Sequence, residues 1–227
     1  MNNPRRYIPA LHFDWLTFLY DPLLKWVFQE SRFKRQLIEQ AHIQRSHRVL
    51  DLGCGTGTLL LLIKQAHSEV EVVGLDVDPK VLKIAREKAA KTNVDITLHQ
   101  GVAYQLPYPE HSFDRVFSSL VFHHLTADNK RRTLAEVFRI LRPGGELHMA
   151  DFGRPHNGFT YFVSWIVRCF EEVADNLQGL LPTLFRDAGF DPVEETGRYT
   201  TIAGTLSLHR ARKPLDPPKP GDQPWPS

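Results

Sequence analysis

Cysteine is scarce in this chain: Cys54 and Cys169 are the only two among 227 residues. Such a chain cannot be a disulfide scaffold, and its thiol count fits a reducing cytoplasm. No Cys/His cluster stands at metal-ligand spacing, so no metal site is expected. Neither charge sign is in excess, with 28 Lys and Arg against 26 Asp and Glu, a net of +2. A nucleic-acid partner needs a clustered basic face, which this balance does not supply. Long apolar runs are missing too. The longest apolar region runs from Phe159 to Phe170 and already contains Ser164 and Arg168, whereas a membrane span needs about 20 apolar residues. The amino terminus has Arg5 and Arg6 but then His12 and Asp14, without the apolar centre of an export signal. The absences point to a cytoplasmic chain without a transmembrane segment. Contact at a membrane surface stays open.

Hydrophobic residues make up 42% and charged residues 24%, the balance of an ordinary globular chain. The length suits one α/β domain with a full core. Proline is concentrated at the end: Pro214, Pro217, Pro218, Pro220, Pro224 and Pro226. Proline fixes φ and removes a backbone donor, so residues 213–227 read as a disordered tail or as a proline-rich ligand. The middle alternates strand and helix patterns. Strands are expected at Arg48–Leu52, Val70–Asp76, Val94–His99, Phe113–Ser118 and Glu146–Asp151. Helices are expected at Thr58–His67, Pro79–Thr92 and Asp128–Leu141, the last ended by Pro143-Gly144-Gly145. That alternation implies a doubly wound, mostly parallel sheet with helices on both faces. Further on, Phe159–Glu172 and Leu177–Ala188 read as helices. Asp191–Thr196 and Thr201–His209 read as strands, an antiparallel pair at one edge. Residues 1–41 read as an aromatic-rich helical lid on a domain spanning 42–212.

The most informative stretch is Val49-Leu50-Asp51-Leu52-Gly53-Cys54-Gly55-Thr56-Gly57. A buried strand feeds a glycine turn and then a helix start, where free N–H groups would face a ligand. A dinucleotide site reads G-x-G-x-x-G, with the pyrophosphate on the helix. Here the spacing is G-x-G-x-G, and Asp51 precedes the turn. Its carboxylate would repel a pyrophosphate but suit a ligand bearing an ammonium group.

These residues closely resemble the first motif of class I S-adenosylmethionine-dependent methyltransferases. The likeness continues through Gly74-Leu75-Asp76-Val77-Asp78, through Gln100-Gly101-Val102-Ala103 with Leu106-Pro107-Tyr108, and through Leu141-Arg142-Pro143-Gly144-Gly145. It is nearest to the small-molecule group that includes ubiquinone and menaquinone C-methyltransferases and phospholipid N-methyltransferases. The resemblance implies a seven-stranded, mostly parallel, Rossmann-like sheet with an antiparallel edge strand. It implies S-adenosylmethionine as cofactor, S-adenosylhomocysteine as product and a small, partly apolar methyl acceptor. Asp51, Gly53, Cys54, Gly55 and Gly57 would then cradle the methionine end. Asp76 would accept the ribose hydroxyls with Val77 beside it, and Asp78 would cap the next helix. Gly101, Val102 and Ala103 would border adenine, although Val102 stands where relatives often carry an acid. That shifts the adenine contact to backbone acceptors or Gln100.

Catalysis draws on the strand ends that face the ligand crevice of such a sheet. His123 and His124 follow the fourth strand and titrate near neutrality, so either suits a general base; the alternative is a packing role. Asp151 ends the fifth strand, either as a base or orienting group or as a turn residue. Ser118 lies near the methionine moiety, more by backbone than by chemistry. Tyr20, in Tyr20-Asp21-Pro22, resembles a lid tyrosine that lies against the sulfonium. Phe159–Phe170 is either a substrate-binding or membrane-surface segment, or a core helix. Two other activities use the same sheet: a nicotinamide-dependent oxidoreductase, and a methyltransferase-fold protein that binds without catalysis.

Overall fold

The computed structural model describes residues 30–156, 158, 179–201 and 204–215. Tyr20, the Phe159–Glu172 segment, Cys169 and most of the proline-rich tail lie outside the described residues. Among the described residues seven strands form one sheet. They are β1 (Arg48–Leu52), β2 (Glu71–Asp76), β3 (Thr97–Gln100), β4 (Phe113–Ser119), β5 (Leu141–Phe152), β6 (Val193–Thr201) and β7 (Gly204–Arg212). Their order across the sheet is β3-β2-β1-β4-β5-β7-β6. β1 to β5 pair in parallel, while β7 runs antiparallel to both β5 and β6. The order reverses between β1 and β4, and a doubly wound sheet opens its ligand crevice at the carboxyl ends beside that point.

Side-chain alternation divides the core into two layers. Leu50, Leu52, Val73, Leu75, Val116, Leu147 and Met149 face α4 (Ala127–Ile140) and α5 (Leu181–Asp187), which contribute Leu134, Val137, Ile140, Leu181 and Phe185. Val49, Val72, Phe117, Ala150, Leu206 and Leu208 face the opposite layer. There lie α1 (Glu30–Gln40), α2 (Thr58–Ala66) and α3 (Pro79–Lys91), which contribute Phe33, Leu37, Leu59, Leu60, Ile63 and Leu82. Strands buried on both faces need near-continuous apolar sequence, which is why Val49 to Leu52 are all buried.

Local chemistry explains most boundaries. Asp78 accepts from the Lys80 N–H at 2.8 Å, and Pro79 follows it where no donor is needed, so α3 starts there. Thr126 caps α4 through the Asn129 N–H. The third strand is shorter than the expected Val94–His99. Asn93 turns with φ +51°, and the Val94 N–H bonds back to Ala89, so these residues close α3 before pairing begins. The expected loop at Leu141–Gly145 is instead the first part of β5. An irregularity in the β4–β5 ladder accommodates it, and proline is tolerated where a ladder bond is already missing. The last two strands run three to five residues beyond the expected ends because their ladder continues from Val193/Ala211 to Thr201/Gly204. Gly197 sits at a shift of register, which interrupts the polar/apolar alternation that marks a strand in sequence.

Candidate active site

The turn after β1 is built by two glycines for different reasons. At Gly53 the chain turns with φ +71°, and a Cβ would lie 2.4 Å from Val121 Cγ2. At Gly55 φ is +52°, and a Cβ would meet nothing within 4 Å. Gly53 therefore lets β1 and the β4 turn approach each other, whereas Gly55 keeps open space at the crevice. Gly57, which also has positive φ, precedes α2.

The turn's donors are mostly spent. The Gly53 and Cys54 N–H groups both donate to the Leu75 carbonyl, at 2.8 and 3.0 Å, and Gly57 donates to Cys54. Gly55 donates to Asp76 Oδ2 at 2.8 Å, and Asp78 donates to Asp76 Oδ1 at 3.0 Å. These four turn donors are therefore not among the free N–H groups expected at the helix start, where α2 begins at Thr58. A diphosphate would need such donors, so a bonded turn suits a ligand without phosphate. Asp76 thereby ties the end of β2 to the glycine turn. Burial pushes its carboxyl up, against the pull of those backbone bonds.

Asp51 lies just before the turn. It is 1% exposed, and its Oδ1 has no hydrogen-bond partner. Its carboxyl is pushed up to about 7, by burial first; Lys34 works in the opposite direction and Asp76 adds to the rise. Lys34 belongs to α1 and donates to Glu30, one turn earlier. Both residues are buried within the stripe of Phe33, Leu37 and Ile38. Neither was singled out from the sequence. The available signal is an i, i+4 acid/base pair inside an apolar helix face, where charge is out of place.

Cys54 is buried beside Gly74, and burial holds its thiol well above the usual range, with Asp51 adding to the effect. Gly101 donates to the Asp76 carbonyl at 2.9 Å, and Val102 accepts from Gln105. Gln100 spends its side-chain amide on the Val77 carbonyl. The stretch from Leu106 to Tyr108 is fastened to α4: Glu136 accepts the Leu106 N–H, and Arg139 donates to the carbonyls of Leu106 and Tyr108. Ser118 is fully buried, with its Oγ unpartnered.

The second half of the site gathers at the ends of β4 and β5. Asp151 is fully buried. Its Oδ2 accepts from the N–H groups of Phe122 and Val121, at 2.7 and 3.1 Å, and its Oδ1 accepts from Phe152 at 2.8 Å. His123 Nδ1 lies 2.9 Å from the same Oδ1. Burial alone would raise this carboxyl, but His123 and the backbone donors outweigh it and hold it below the usual range. The contact assigns the His123 proton to Nδ1 and leaves Nε2 as the acceptor. The ring packs on His124 at 3.9 Å and edge-on to Phe152. His124 is pushed down, to about 4, by desolvation first and by His123 second. It also stands open to water, which moderates the shift without reversing it. His124 is therefore neutral at pH 7.

The structure thus gathers Asp51, Gly53, Cys54, Gly55, Gly57, Asp76, Val77, Gly101 and Ser118 along one crevice edge, with Val102 and Ala103 in the loop beyond β3. His123, His124 and Asp151 form one cluster beside Val121, which touches the Gly53 turn. The fit to S-adenosylmethionine rests on two features: an orphaned carboxylate oxygen on Asp51 for an ammonium group, and the open space at Gly55.

Comparison with known proteins agrees. Residues 49–145 match a family described as a methyltransferase domain. The demethylmenaquinone methyltransferase of Thermus thermophilus is 33% identical over 67% of this chain and 67% of its own length. That of Symbiobacterium thermophilum is 28% identical over 92% of this chain and 93% of its own. A Haemonchus contortus N-methyltransferase solved with S-adenosylhomocysteine superposes with a TM-score of 0.67, at 18% identity, over 81% of this chain and 52% of that one. Among the described residues no helix is long and apolar enough to cross a membrane. With a turn whose donors are mostly bonded, an orphaned carboxylate before it and relatives of this kind, the chain belongs to the class I S-adenosylmethionine-dependent methyltransferases.

Proposed function

We propose that this methyltransferase acts on a ring carbon of a small, partly apolar hydroquinone, the reduced form of a demethylmenaquinone-like molecule. The observation that carries this reading is the His123–Asp151 pair beside His124 at the crevice. A hydroquinone becomes nucleophilic at carbon when it loses a hydroxyl proton, so its methylation needs a base, and this cluster holds one. The names of the relatives supply the acceptor class.

Asp51, Gly53, Cys54, Gly55 and Gly57 hold the methionine end of the cofactor, with Ser118 below. Asp76 and Val77 hold the ribose, and Gly101, Val102 and Ala103 border the adenine. S-adenosylmethionine, when bound, supplies the activated methyl group and its own leaving group. His123 takes the acceptor's hydroxyl proton at Nε2, and the buried Asp151 carboxylate steadies the imidazolium that forms; once the ring carbon is methylated, its C–H proton is lost to solvent and the imidazolium returns a proton to the ring oxygen, which restores the hydroquinone. Neutral His124 orients the acceptor by hydrogen bonding.

The test is transfer of a labelled methyl group from S-adenosylmethionine to a short-chain demethylmenaquinol. The wild type should label the ring. His123→Ala should lose about 100-fold or more in turnover while S-adenosylhomocysteine binding is unchanged. Label that reaches only other acceptors, or full turnover in the variant, would sink the proposal.

A further inference from the structure

A pocket of about 180 Å³ lies beside the end of β5, and its lining includes Arg154 beyond that strand, Leu181 and Pro182 of α5, Glu195 and Arg198 of β6, and Ser207 and His209 of β7. Arg198 and Glu195 satisfy each other, with Nη2 donating to Oε2 at 2.7 Å. His209 is different. It is 4% exposed and lies edge-on to Phe185, with ring centroids 5.7 Å apart, yet its Nδ1 has no hydrogen-bond partner. Among the described lining residues it is the one buried side-chain atom left so. Burial holds the ring below its ordinary range, against the pull of Glu195 and Asp151, so it is neutral at pH 7. An apolar side chain would pack on Phe185 without leaving a buried polar atom unpaired. The pocket also neighbours the His123 cluster. Ser207 lies opposite Asp151 in the β5–β7 ladder, and His209 lies opposite Met149. His209 is therefore the diagonal neighbour of Asp151 on one face of the sheet, at about 7 Å. Asp151 in turn meets His123 Nδ1 at 2.9 Å.

A hydroquinone has two hydroxyls at opposite ends of one ring, and His123 accounts for only one of them. We infer that this pocket anchors the other: His209 Nδ1 pairs with the second hydroxyl, while Leu181 and Pro182 lie against the ring. The orphaned nitrogen then gains its partner, and the hydroxyl leaves water without losing its hydrogen bond. A neutral imidazole suits a neutral hydroxyl, which needs no counter-charge beyond the Arg198–Glu195 pair that is already matched. A site built around such a bond rejects a ring that lacks the second oxygen. The inference rests on the hydroquinone reading and deepens it: His123 takes the oxygen that activates the ring, and His209 reads the oxygen that does not react.

Two probes isolate the second oxygen. One is a short-chain demethylmenaquinol. The other is 1-naphthol with the same side chain at C3, which keeps the hydroxyl beside the methylated carbon and lacks the other. Binding of each to the full chain saturated with S-adenosylhomocysteine is measured by calorimetry under anaerobic, reducing conditions, so that no turnover occurs. The wild type should bind the hydroquinone at least about tenfold more tightly, the worth of one buried hydrogen bond. His209→Phe should erase that preference, and His209→Leu gives the same reading if phenylalanine is not accommodated. The ratio between the two probes cancels any general loss of affinity. No preference in the wild type, a preference that survives in the variant, or failure of both variants to bind S-adenosylhomocysteine overturns the inference and leaves His209 a structural role. A wild type that binds S-adenosylhomocysteine but neither probe overturns the hydroquinone reading, and the inference with it.

Discussion

Asp51 and Asp151 end strands two apart in the same sheet and are equally buried, at 1% and 0% exposure, yet their surroundings are opposite. Asp51 shares the face of Val49, toward α1 to α3; Asp151 shares the face of Met149, toward α4 and α5. Asp51 has an oxygen with no partner and a carboxyl pushed up to about 7. Asp151 accepts from three backbone N–H groups and faces His123, and its carboxyl is held down. Burial is common to both, so partners decide the charge. The satisfied carboxylate shapes its own turn and orients a histidine. The unsatisfied one holds its proton more tightly, because nothing offsets its burial.

The largest effect is expected from Asp151→Ala. It leaves Val121, Phe122 and Phe152 with buried donors unpaired and His123 without its anchor. The loss should be about 3–5 kcal/mol in chemical denaturation, the range for breaking a buried pair. A loss below about 1 kcal/mol would mean that Asp151 is not the structural carboxylate of the two.

The next effect is a pH slope of opposite sign for the two residues. Asp51 is raised from an ordinary 3.8 to about 7. Between those values the folded protein keeps a proton that the unfolded chain releases. Its contribution to stability therefore falls as pH rises from about 4 to about 7, by at most ~4 kcal/mol. Asp51→Asn should flatten this slope in the cofactor-free protein. Asp151, being held low, contributes stability above about pH 4 that is lost on further acidification. Cofactor binding should also expel the Asp51 proton below pH 7, which calorimetry in buffers of different ionisation enthalpy detects. A wild type and an Asp51→Asn variant with the same pH profile would erase the contrast.

The smallest effect belongs to Asp78, a satisfied carboxylate at an exposed helix start. Asp78→Ala should cost about 1 kcal/mol through loss of the α3 cap, read as a lowered Tm. S-adenosylhomocysteine affinity should not change, which separates Asp78 from Asp76 two residues earlier.

Much of this was legible along the chain. The strand–turn–helix spacing around Gly53-Cys54-Gly55 marks a cofactor turn, and the acid before it argues against a diphosphate. Asp78 before Pro79 reads as a cap and is one. The alternation of periods marks the parallel sheet. Less legible were features that depend on backbone accounting. That Leu75 and Asp76 consume the turn's donors follows from how β2 lies against β1, and no spacing rule expresses it. That Pro143 and Gly144 lie inside β5 follows from an irregular ladder with β4. The His123-His124 doublet announced itself, but the different surroundings of the two rings did not. Asp151, 28 residues beyond His123, settles which ring nitrogen carries the proton.

The sequence by itself determined the fold class, the family and the position of the glycine turn, because period, turn glycines and helix caps are set by neighbours a few residues apart. Only the tertiary structure decided which carboxylate is satisfied and which is left open. It alone brought the charge of Lys34 in α1 to bear on Asp51. The charge state of a buried group is set by what reaches it through space in a low dielectric, and those partners come from strands and helices far apart in the chain.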